Sequence, residues 1–145
     1  MKNLLIILLF IPLLFGFKSA NHSYVSRVIY GESGTNYRDC WYVAQVIKNR
    51  IDYKNNTLEK VVKAKGQFSG YKVIKNREIQ DSIECIIYHV INDNIPDSLR
   101  LPTDTKFFCN PKGVKSKRTM RWFNSLEKVK ISYFPRKGVA HHYYR

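Results

Sequence analysis

Up to residue 91, apolar side chains of this chain recur with helical spacing; beyond residue 104 they fall into short aromatic-rich runs bounded by turn residues. Val25, Val28 and Ile29 predict a short helix that ends at YGESG, where Gly31 and Gly34 interrupt the pattern. Tyr37, Trp41, Val43, Ala44, Val46, Ile47 and Ile51 form a stripe wide enough for a buried central helix, with Lys48, Asn49 and Arg50 near its end. Asn56 followed by Glu59 predicts an N-cap for a brief helix through Leu58, Val61 and Val62. Ile79, Ile83, Ile86, Ile87, Val90 and Ile91 give a further amphipathic helix, and Pro96 and Pro102 frame the loop after it. TKFFC, KISYF and VAHHYY then read as strands, the last two joined by a turn at PRKG. Helices first and a small antiparallel sheet last make an α+β domain, not an alternating α/β one.

The chain start carries different information. Twelve positions, 4–15, hold no charged or hydrogen-bonding side chain, whereas a membrane-spanning helix needs about 20 apolar residues. Residues 1–20 therefore read as a secretory signal with cleavage near Ser19 and Ala20, and residues 21–145 as one exported domain. Lys18, three residues before that cut, departs from the small residue expected there, which keeps an uncleaved membrane anchor as the other reading.

Lys and Arg number 25 against 11 acids, a net charge of +14, and only Lys2 and Lys18 would leave with the signal. The excess belongs to the domain itself and implies a polyanionic partner. Outside the cytoplasm, anionic wall polymers suit it better than nucleic acid, which is not expected as a partner. Residues 106–121 concentrate six of these cations without an acid, either as a binding surface or as a solvated basic loop. Cys40, Cys85 and Cys109 include no C-x-x-C pair; one disulfide in any of three pairings would be compatible with export, and three partly buried thiols are the simpler reading.

No phosphate loop, dinucleotide fingerprint, HExxH or GxSxG string is present, so the chemistry narrows to carboxylates, histidines and aromatics. Glu32, in RVIYGESG, follows Ile29 and Tyr30 and is flanked by glycines that let a polymer approach. A carboxyl set among such groups loses solvation of its charged form and can serve as a general acid, although an exposed Glu at a helix end would look the same in sequence. Gln67 and Ser69, with Phe68 and Tyr71, could hydrogen-bond and stack a sugar ring, or simply make a turn. In AHHYYR, strand alternation puts His141 and Tyr143 on one face and His142 and Tyr144 on the other. Adjacent histidines without a matched acid or thiol make no metal site, and no cofactor is expected.

VSRVIYGESG, VAQVIKNRI, GQFSGY, FFCNP, Trp122 and AHHYYR, in this order, resemble the SleB-like bacterial cell wall hydrolases of the spore-cortex-lytic type. The resemblance covers almost the whole mature chain and implies a mainly helical lysozyme-like fold that cleaves the muramic acid to glucosamine bond of peptidoglycan. It implies Glu32, in the position of the family's GEA glutamate, as the single catalytic acid of a lytic transglycosylase. Tyr30, Gln67, Ser69, Tyr71, His141, Tyr143 and Tyr144 are then the candidates for holding the glycan. Ser33 stands where the family usually has Ala, and Gly138 precedes His141 by three residues where the family spacing is two. A non-catalytic cationic module for wall polymer or nucleic acid is the reading from another class.

Overall fold

A computed structural model describes residues 19–64, 66–68, 71–134 and 139–145. The apolar run at 4–15, Ser69 and the PRKG turn lie outside the described residues. Among those described, no helix is long and apolar enough to cross a membrane.

Helix α1, Ser19–Ser33, buries Val25, Val28 and Ile29. It ends because Gly34 takes a left-handed φ of 59° while its N–H bonds back to the Tyr30 carbonyl at 2.8 Å. Two residues later Asn36 caps the next helix, its side-chain oxygen accepting from the Asp39 N–H at 3.2 Å. This turn sets the end of α1 directly against the start of α2, Tyr37–Lys54. Helix α3 is Leu58–Val62, and its cap is Thr57, one residue later than the sequence reading, because the Thr57 hydroxyl accepts from the Lys60 N–H. Helix α4, Arg77–Ile91, starts at Asn76, whose side chain accepts from the N–H groups of Glu78 and Ile79.

Helices α1, α2 and α4 pack against one another over Val28, Ile29, Tyr42, Val43, Val46, Ile83, Ile87 and Val90, all nearly inaccessible to water. Each such side chain contributes about 1.5–3 kcal/mol of transfer free energy before chain entropy is counted. Ile91, on the predicted stripe, is instead half exposed, as the last residue of α4.

Strands β1 (Phe107–Cys109), β2 (Lys128–Phe134) and β3 (Val139–Tyr144) make one antiparallel sheet in the order β1-β3-β2. The final strand is therefore the central one. Between β1 and β2 lies helix α5, Lys117–Asn124, so part of the basic segment read as loop is a helix, capped by the Ser116 hydroxyl. Three α2 side chains hold the segment leading into β1. Gln45 bonds the Leu99 carbonyl and the Leu101 N–H, Asn49 bonds the carbonyls of Pro102 and Thr105, and Arg50 donates to the Lys106 carbonyl at 2.6 Å. Satisfying these loop groups matters because buried backbone polar atoms without partners are costly.

The two faces of β3 do different work. Tyr143 enters the main core, edge-on to Tyr42, while Tyr144 packs with Cys109 and Phe123 in a smaller cluster behind the sheet. The three cysteines are free thiols, Cys40 and Cys109 buried and Cys85 exposed, so only two of the three fit the buried-thiol reading.

Candidate functional site

Glu32 sits in the last turn of α1, half-buried, with Tyr30 half-buried before it and Ser33 buried after it. What lies beside this helix end is a polar cluster inside the core. Its centre is Asp39, in the first turn of α2, with no exposed surface. The Ser33 hydroxyl donates to Asp39 Oδ2 at 2.6 Å, the Tyr143 hydroxyl donates to Oδ1 at 2.6 Å, and His141 Nδ1 lies 2.9 Å from Oδ2. A carboxylate accepts, so the proton of that last contact belongs on Nδ1. Three donors converge on one carboxylate, which is the arrangement a buried charge requires.

The cluster joins three elements at one point: Ser33 from the end of α1, Asp39 from α2 and His141 with Tyr143 from β3. Burial, and then the Asp39 charge, hold the Tyr143 phenol well above its ordinary value, so it remains a hydrogen-bond donor. Burial followed by the same charge pushes the Cys40 thiol up to about 12, and its Sγ rests on the Gly34 carbonyl. Such a thiol is no nucleophile at neutral pH.

Aromatic rings carry the site outward from this cluster. Phe108 stacks on Tyr143 with centroids 5.5 Å apart, touches His141 at 5.2 Å and meets Phe68 at 6.2 Å. Beside α1, Tyr71 stacks on Tyr24 at 5.5 Å, and the Lys72 N–H bonds the Arg27 carbonyl. Tyr24 lies eight residues before Glu32 on the same helix, about 12 Å along its axis.

Of the residues singled out in the sequence, Glu32, His141 and Tyr143 belong to the neighbourhood where α1, α2 and β3 meet, Tyr30 lies on α1, and Tyr71 packs against that helix through Tyr24. Gln67 is exposed and lines a pocket with Arg50, Lys106 and Phe107 at the other end of α2. Tyr143 has no exposed surface and Tyr144 only 2%, with Tyr144 on the opposite sheet face, as strand alternation requires. Sequence reasoning passed over Asp39. The signal was there: positions 39, 43 and 46 share one helical face, and an acid on an otherwise apolar stripe calls for buried donors. Among the described residues no group of three His, Cys, Asp or Glu side chains is arranged to hold a metal.

The sequence matches no family model and no curated protein. The fold is similar to a solved structure, the catalytic domain of the germination-specific lytic transglycosylase SleB from Bacillus anthracis. The TM-score is 0.63 at 21% identity, over 90% of this chain and 98% of that one. The shared fold is the α+β, mainly helical arrangement with a small antiparallel sheet described above.

Proposed function

We propose that this chain is an exported peptidoglycan lytic enzyme, a lytic transglycosylase in which Glu32 acts first as acid and then as base. The fold likeness to a lytic transglycosylase domain supports the coarse assignment. The observation that carries the finer one is the seat of Glu32, half-buried at the end of α1 beside the Ser33–Asp39 hydrogen bond.

All 11 acids fall within the described residues. Asp52, Glu59, Asp81, Asp93, Asp97, Asp104 and Glu127 lie within ion-pair distance of Lys or Arg. Asp39 is sealed in the core with both oxygens engaged. Glu78 and Glu84 lie on α4, where Glu84 accepts from Gln80. Glu32 is half-buried in the last turn of α1, next to Ser33, whose hydroxyl Asp39 holds. Hydrolytic glycosidases use two carboxyls, about 5–5.5 Å apart for retention or roughly 6.5–9.5 Å for inversion. A transglycosylase needs one.

In that route Glu32 protonates the bridging oxygen, positive charge develops at the ring carbon, and the ionised Glu32 takes the proton of the sugar's own C6 hydroxyl as it closes a 1,6-anhydro ring. The Asp39 cluster contributes rigidity: by clamping Ser33 it fixes the turn of helix from which Glu32 projects. Tyr30, Gln67, Ser69 and Tyr71 are the proposed glycan contacts, with His141, Tyr143 and Tyr144 shaping the wall behind them. The net charge of +14 favours association with anionic wall polymer. The first 20 residues act as the export signal.

The test is digestion of purified sacculi by the wild type and the Glu32→Gln variant. Anhydro-ended fragments from the wild type, and a loss of at least about 100-fold in the variant, are expected. Fragments with reducing ends would replace the one-acid route by hydrolysis. Lysis by the variant at the wild-type rate would remove Glu32 from the chemistry, and adhesion without any lysis would make the chain a binding module.

A further inference from the structure

A concave site lies at the end of α2 away from Asp39. Asp39 and Arg50 are eleven residues apart on that helix, about 16 Å along its axis. There a pocket of about 460 Å³ is bordered by Arg50, Lys60 and Lys106, with Asn56, Gln67 and Phe107 among the other residues of its wall.

Arg50 is built into place. Its guanidinium lies over Phe68 at 5.3 Å and Phe107 at 5.8 Å, and Nε donates to the Lys106 carbonyl. Nη1 is buried and has no hydrogen-bond partner among the described residues. Burial lowers this guanidinium to about 10, the direction expected of a cation that lacks a counter-charge. Lys106 is likewise placed, its Nζ 3.4 Å from the centre of the Tyr53 ring. Among the described residues, none of the three cations forms an ion pair, and none of the residues lining the pocket is acidic.

We infer that this pocket binds an oxyanion, a carboxylate or phosphate group carried on a larger molecule, with Arg50 as the planar fork and Lys60 and Lys106 as flanking charges. Guanidinium suits this role because it meets either group with paired N–H donors, and its stacking on Phe68 and Phe107 keeps it in one orientation. The volume exceeds that of a bare anion, so the sugar or peptide bearing it has room against the Phe107 ring and the Asn56 and Gln67 amides. The inference does not depend on Glu32 being catalytic.

The experiment is an NMR titration of the full protein with inorganic phosphate and, separately, with N-acetylalanine carboxylate, at constant ionic strength in chloride. Saturable shifts of the Arg50 Nε–H and Gln67 side-chain amide signals are expected with at least one probe. Saturation by phosphate alone makes the natural group a polymer phosphate; saturation by the carboxylate alone makes it a peptide terminus. Arg50→Met should weaken binding at least about five-fold. Lys60→Gln alters an exposed side chain without touching the core and should weaken it about two- to five-fold. Glu32→Gln should leave it unchanged. Linear, non-saturating shifts with both probes, or unaltered affinity in both Arg50→Met and Lys60→Gln, would overturn the site.

Discussion

Replacing Tyr143 by Phe removes one oxygen from the centre of the fold and little else. That oxygen donates to Asp39 Oδ1 at 2.6 Å, in a place with no exposed surface on either residue. A hydrogen bond to a charged group is worth about 1.5–3 kcal/mol, and the unsatisfied Oδ1 cannot be rescued by bulk water. The ring remains stacked on Phe108 and edge-on to Tyr42, so no cavity term is added. The expected loss is about 2 kcal/mol. For a chain of this size this lowers Tm by roughly 6–10 °C, at about 3–5 °C per kcal/mol. The assay is urea and thermal unfolding of wild type and Tyr143→Phe at pH 7, followed by a pH series. In the folded protein the phenol keeps its proton above its ordinary value of 10, whereas in the unfolded chain it loses it near 10. Its contribution is thus complete below pH 10 and declines above, by about 1.4 kcal/mol per pH unit. The gap between the two proteins should narrow as pH passes 10. A midpoint equal to wild type at pH 7, or a gap that widens in alkali, would refute the account of Asp39 as a carboxylate held by Tyr143.

Ser33→Ala should cost about 1–2 kcal/mol by removing the 2.6 Å donor to Oδ2. Combined with Tyr143→Phe it should be non-additive by more than about 0.5 kcal/mol, because both act on Asp39; strict additivity in urea unfolding would mean that the two bonds are energetically separate. Cys40 ionises near 9 when exposed and near 12 in the folded protein, so wild-type stability should fall by about 1.4 kcal/mol per pH unit across that interval. Cys40→Ala should flatten this part of the curve, and identical alkaline slopes for the two proteins would contradict it.

The helical stripes of α1, α2 and α4 and the late β segments were legible before any coordinates, because a 3.6- or 2-residue period records which face each element turns inward. The end of α1 was legible only as the stretch YGESG: Gly31 stays helical, and the stop falls at Gly34, where a positive φ suits a residue without Cβ. Placing His141 and Tyr143 on one face of β3 required only alternation. Their partner was another matter. Asp39 lies 102 and 104 residues earlier in the chain, and no local pattern specifies a contact across that separation. It appears once β3 is inserted between β1 and β2 and laid against α2, a choice made by closure of the core around Tyr42 and Tyr143. The pocket around Arg50 is decided in the same way, by the rings of Phe68 and Phe107 arriving from two distant segments. Periodicity reports the direction a side chain faces, and only packing determines what it meets.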